Sequence, residues 1–183
     1  MRTKLLQQGL LMMMMGVASL AARGQGAQVP LRAPEVPASL AVPDGASVAA
    51  QFSATGVQIY RCDAAPDGKA YQWTLVAPEA SLHDAQGAVA GRHYSGPTWE
   101  AKDGSAITGK VLARAPAPDP ADVAWLLLAA TPVHEGETLG KVRYVQRLNT
   151  HGGVAPAASC APANRGAESR VAYTADYWFY APR

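Results

Sequence analysis

The densest group of chemistry-bearing side chains lies in GRHYSGPTWEAKDG, residues 91–104, where His93, Tyr94, Trp99, Glu100 and Asp103 fall within eleven positions. An imidazole, two aromatic rings and two carboxylates in one stretch suit a ligand pocket, which sets a few convergent polar groups beside an apolar wall. On that reading Trp99 and Tyr94 are the apolar platforms, and Glu100 with His93 the polar anchors. The glycines and Pro97 mark a bent, exposed connection, the kind of place where binding residues stand on a rigid scaffold. A structural reading stands beside it: Gly96 and Pro97 shape a turn, Trp99 fills the core, and Glu100 begins a hairpin around Lys102-Asp103-Gly104.

A second group is LNTHGGVAP, residues 148–156, with Asn149, Thr150 and His151 ahead of a glycine pair. Paired glycines let backbone approach a ligand or another strand closely. The alternative is a strand end turning toward Cys160, with Asn149 bonded to its own backbone and His151 solvated.

Most enzyme classes fail on the residue inventory. His83, His93, His134 and His151 are dispersed, with no His-x-His pair and no HExxH helix, so no metal site is implied. Gly-x-Ser-x-Gly is absent, which removes the nucleophile elbow. Cysteine chemistry would need Cys62 or Cys160 unpaired. The remaining catalytic idea is a carboxylate pair of the glycosidase type, drawn from Glu79, Asp84, Glu100, Asp103 and Asp176.

The elements that must position these residues are short and β-like. Apolar or β-branched runs occupy residues 48–54, 57–62, 71–77, 107–115, 123–130, 139–148 and 171–180. Thr55-Gly56, Asp67-Gly68, Gln86-Gly87 and Asp103-Gly104 supply turns between several of them. No longer window carries a helical period with caps. The run 123–130 suits either a buried strand or a short helix, and the Thr131-Pro132 stop favours the strand. Residues 173–180 carry aromatics on both faces, which places them in a central strand. The expected fold is all-β: one antiparallel sandwich or barrel-like domain over residues 44–183, with one disulfide.

Ahead of it, Arg2 and Lys4 precede an uncharged apolar run from Leu10 to Ala22, the pattern of an export signal and too short to span a membrane as a helix. Cleavage after Ala21 or Gly26 makes residues 1–26 a leader. Residues 27–43, with four prolines, read as an extended linker. Three of the sixteen basic residues belong to the leader while all fourteen acids lie downstream, so the mature chain is close to neutral. Its bases are scattered among acids, which excludes nucleic acid and a polybasic membrane surface as partners. In an oxidising compartment, Cys62 and Cys160 are expected to pair, the alternative being two buried thiols.

Seven segments in order, VQIYRC (57–62), VAPEASLHD (76–84), GRHYSGPTWEAKDG (91–104), GKVLARAPAPD (109–119), WLLLAA (125–130), VQRLNTHGGVAP (145–156) and YTADYWFY (173–180), resemble the family known as domain of unknown function 3455. The resemblance covers nearly everything from Val42 to Pro182. It implies an exported bacterial or fungal protein without an established activity, and adds no catalytic residues. The dehydrogenase label carried by some fungal members gains nothing here, because no glycine-rich loop joins a strand to a helix. The expectation is a non-enzymatic, cofactor-free module, periplasmic or extracellular, binding a small molecule, glycan or protein. Its candidate ligand-binding residues are His93, Tyr94, Trp99, Glu100, Asp103 and His151, with the carboxylate-dependent hydrolase as the rival.

Overall fold

A computed structural model describes residues 31–183. The leader, and the linker as far as residue 30, lie outside the described residues.

Eight strands run in chain order: β1 (Ala46–Ala64), β2 (Tyr71–His83), β3 (Val89–Tyr94), β4 (Thr98–Ala101), β5 (Ala106–Ala115), β6 (Trp125–His134), β7 (Tyr144–Gly152) and β8 (Glu168–Pro182). Each pairs antiparallel with the next, and β8 pairs with β1, so the sheet closes into an up-and-down barrel without a free outer strand. The expected all-β fold with one disulfide is present, and of the two architectures it is the barrel. Residues 123–130 lead into β6, a strand with Leu126, Leu127 and Leu128 all buried. β8, expected as a central strand from its aromatics, is flanked by β7 and β1 along most of its length, as every strand of a closed barrel is flanked on both sides.

Alternation decides what enters the barrel. Phe52 and Ala54 of β1, Trp99 of β4, Leu126 and Leu128 of β6, and Tyr177 and Phe179 of β8 form the interior core. The outer wall carries charges, including the Arg170–Glu79 pair at 2.8 Å. This apolar-in, charged-out order reverses that of a membrane-spanning barrel. Among the described residues no helix is long and apolar enough to cross a membrane.

Two expectations need correction. Thr55-Gly56 is not a turn: β1 runs unbroken through it for 19 residues. Gly56 is there because β1 and β2 approach so closely that a Cβ would fall on the Glu79 carbonyl oxygen and within 2.5 Å of the Ala80 Cα. Nor is the described part of the proline-rich stretch, 31–43, a free linker to its end. A short 3₁₀ turn at Ala38–Leu40 lays Leu40 on the outside of the barrel, where Ala115, Leu127 and Leu148 bury it completely. The outward faces of β6 and β7 are apolar and need a cover, which Val36, Leu40 and Val42 supply.

The two ends of the barrel differ. At one end Leu139 and Val142, in the β6–β7 connection, are buried in the interior core and close it. At the other, the β3–β4 hairpin is shorter than its flanking strands. The β2–β3 ladder stops at Ala80–His93 and the β4–β5 ladder at Thr98–Thr108, so 71–79 of β2 and 110–115 of β5 run on beside β1 and β6 alone. The wall is notched there, and the interior opens.

Candidate functional site

A cavity of about 310 Å³ occupies the open end. β2 contributes Leu75 to Pro78, the β3–β4 hairpin His93, Pro97 and Trp99, and β5 Val111 and Arg114. Gln58, Leu126, Leu128, Arg147 and Tyr177 complete the lining from β1, β6, β7 and β8. Its volume lies at the lower end of the range for small-molecule sites, about 300–1,000 Å³. An eight-stranded barrel has room for packed side chains or one small ligand, and here the closed end has the former and the open end a space of ligand size.

The 91–104 segment is not the bent exposed connection expected from its glycines. It forms β3, a tight turn and β4, and strand alternation sends its polar residues to three places. His93 and Trp99, directly opposite in the β3–β4 register, face inward and line the cavity. Burial drives the His93 imidazole down to about 3, against the pull of its bond to the Thr98 carbonyl and with a further push from Arg147. The ring is therefore neutral, and Nδ1–H donates to the Thr98 carbonyl at 2.8 Å.

Tyr94 and Glu100 point outward, and neither lines that cavity. Arg92, opposite Glu100 in register, donates to both carboxylate oxygens at 3.0 and 2.9 Å, and the Tyr94 hydroxyl donates to one at 2.9 Å. Arg92 first and Tyr94 second hold the Glu100 carboxyl below its ordinary range. Asp103 lies at the closed end. It accepts from the Ser105 hydroxyl at 2.6 Å and from the Thr138 amide at 2.9 Å, and these bonds hold its carboxyl well below the usual range. The Ser105 hydroxyl oxygen accepts in turn from the Leu139 amide at 3.0 Å, so Asp103 secures the loop that plugs the barrel.

His151 is outside the cavity too, exposed on β7 with Nδ1 3.5 Å from Asp122. Its neighbours are structural: Thr150 donates to the Val123 carbonyl at 2.6 Å, and Asn149 donates to Asp176 at 2.8 Å rather than to its own backbone. The glycine pair does permit close approach, of another strand: both residues have positive φ, and the Gly153 carbonyl accepts from the Tyr60 hydroxyl at 2.7 Å.

The five carboxylates considered for hydrolysis are likewise dispersed. Glu79 pairs with Arg170, Asp84 accepts turn amides, Asp176 meets Asn149, and among the described residues no carboxylate lines the cavity. Among the described residues no three His, Cys, Asp or Glu gather as metal ligands.

Cys62, at the end of β1, is bonded to Cys160 in the β7–β8 connection. The Trp73 indole donates to the Ala158 carbonyl at 2.8 Å. Both contacts fasten that connection across the β1–β2 end of the barrel. Trp125 and Trp178 pack against the cluster under residues 36–42.

Sequence reasoning missed Gln58, Arg147 and Tyr177. A signal existed: Gln58 and Arg147 stand at inward positions of β1 and β7 where alternation calls for an apolar residue. Arg147 donates twice to the Ala124 carbonyl, at 3.1 and 2.8 Å. Gln58 is buried, and its amide nitrogen has no partner.

Fold and site together define a disulfide-closed, up-and-down barrel with a ligand-sized, mostly apolar cavity at its open end. The chain belongs to the family described as protein of unknown function DUF3455, whose model matches residues 43–181. No curated protein and no solved structure matches the chain.

Proposed function

We propose that this is an exported binding module, non-enzymatic and acting in the periplasm or outside the cell, that takes a small apolar molecule into the open end of its barrel. The carrying observation is the cavity: rigid strands set Trp99, Leu126, Leu128 and Val111 around an open space that the rest of the interior fills with side chains. Export is supported by the leader pattern and by the disulfide, which persists in oxidising compartments. A small molecule is favoured over a glycan because Trp99 is 1 % exposed and Trp125 and Trp178 are covered, which leaves no flat tryptophan platform on these residues.

The test is titration of the disulfide-intact protein with a neutral solvatochromic dye, followed by fluorescence, beside Val111→Trp. The wild type is expected to bind and to gain about 2.7 kcal/mol of stability at a hundredfold excess over Kd. Val111→Trp, which fills the cavity from its half-buried wall, is expected to lose at least tenfold in affinity. Equal binding by both proteins would place the dye elsewhere and end the proposal.

A further inference from the structure

The cavity's charge is one-sided. Arg147 is half-buried in its wall and Arg114 stands on its rim, yet no Asp or Glu lines it, and among the described residues neither arginine has a carboxylate within ion-pair reach. A guanidinium keeps its charge in a protein, and withdrawing it from water without a counter-ion is unfavourable. The Ala124 carbonyl takes two of Arg147's N–H groups and the Tyr177 hydroxyl stands close enough to engage a third, but neither carries a charge that neutralises the guanidinium. The charge is felt across the interior. Burial raises the proton affinity of Tyr60, Tyr173 and Tyr177 and lowers that of His93; the Arg147 charge opposes the rise at all three tyrosines and adds to the fall at His93. Gln58 adds an unpartnered amide donor to the same lining.

From this set we infer that the ligand is an amphipathic carboxylic acid, its hydrocarbon or aromatic body against Trp99, Leu126 and Leu128 and its carboxylate on Arg147. The inference rests on the cavity being the binding site and names the ligand class. A planar guanidinium matches a carboxylate in shape and charge. One arginine in the wall and one on the rim suit a single negative charge rather than a cation or a neutral sugar. The apolar wall supplies affinity, and the arginine supplies the choice among apolar molecules.

The experiment is calorimetric titration of the disulfide-intact protein with decanoic acid, decanol and decylamine at neutral pH, repeated with Arg147→Gln. The acid is expected to bind at least tenfold tighter than the alcohol, and the amine weakest. In Arg147→Gln the acid should lose at least tenfold while the alcohol is unchanged or strengthened; Arg147→Lys, which keeps the charge without the fork, should retain part of the preference. The wild-type ratio is decisive even where a variant fails to fold. Acid and alcohol binding equally, with both lost in Val111→Trp, leaves the cavity reading intact and overturns the carboxylate assignment. Failure of all three ligands and of the neutral dye removes the cavity reading, and this inference with it.

Discussion

The imidazole of His93 lies flat on the indole of Trp99, with ring centroids 4.4 Å apart and planes 12° from parallel. The Tyr177 ring meets both edge-on, at 5.0 and 5.4 Å, so one cross-strand pair and one residue of β8 form the aromatic floor of the cavity. Burial keeps the stacked imidazole neutral, which ties this part of the barrel to pH.

With the folded-state pKa of His93 at about 3 and the unfolded value at 6.5, the unfolded chain takes up the proton first as pH falls. Stability is therefore complete above pH 6.5 and declines below it, by at most about 1.4 kcal/mol per pH unit. Asp103 and Glu100, both shifted downward, withdraw stability only below the ordinary carboxylate range. Among the described residues whose proton affinity the fold moves, His93 alone acts between pH 6.5 and 4.5. His93→Phe is expected to cost about 1–3 kcal/mol at pH 7, from the abandoned Thr98 carbonyl, and to flatten that part of the curve. Urea unfolding at half-unit pH steps would measure it, and equal slopes in both proteins would count against the assignment.

Trp99 and Glu100, neighbours in sequence, should respond oppositely to mutation. Trp99→Ala removes a fully buried ring and should cost about 3–5 kcal/mol. Glu100→Gln weakens a pair on the outer wall in which the Arg92 side chain is 66 % exposed, and should cost no more than about 1 kcal/mol. Neither the melting temperature nor dye binding should move appreciably in Glu100→Gln. A large loss of ligand affinity there would return the outer face of the hairpin to consideration.

The disulfide spans 98 positions and fastens the rim connection to β1. In the chain-entropy model a closure of that length contributes roughly 4–5 kcal/mol. The oxidised protein should show no thiol labelling, because both cysteines are bonded. Reduction, or the Cys62→Ser, Cys160→Ser double variant, should shift the urea midpoint down by a corresponding amount. An unchanged midpoint would overturn the contribution assigned to the disulfide.

Most strands were legible in the sequence because their apolar residues alternate and their turns carry Asp-Gly or Gln-Gly. The errors are instructive. Thr55-Gly56 imitates a turn, and nothing local distinguishes a glycine that bends the chain from one that admits a neighbouring strand. GRHYSGPTWEAKDG looked like one site because its polar residues are adjacent in sequence, yet period-two alternation parts His93 and Trp99 from Tyr94 and Glu100, and a tight turn carries Asp103 to the far end. The cavity itself was not legible. It draws on all eight strands, and its polar members Gln58 and Arg147 lie 89 positions apart; only the closure of β8 onto β1 brings them into one interior.

Leu40 tests where the folded domain begins. The four prolines of residues 27–43 suggest a proteolytically soft stretch ending at Pro43, but Leu40 is 0 % exposed and its carbonyl accepts a 2.7 Å bond from Gln146. Gln146 is itself buried and accepts from the Tyr180 hydroxyl at 2.6 Å, so removing residues 36–42 would strand a polar network as well as uncover Leu127 and Leu148. Leu40→Ala should therefore cost about 2–5 kcal/mol. Limited proteolysis should leave a stable fragment beginning at or before Val36, read by intact mass. A fragment beginning at Asp44 with the melting temperature of the longer chain would show the cover to be dispensable and restore the whole stretch as linker.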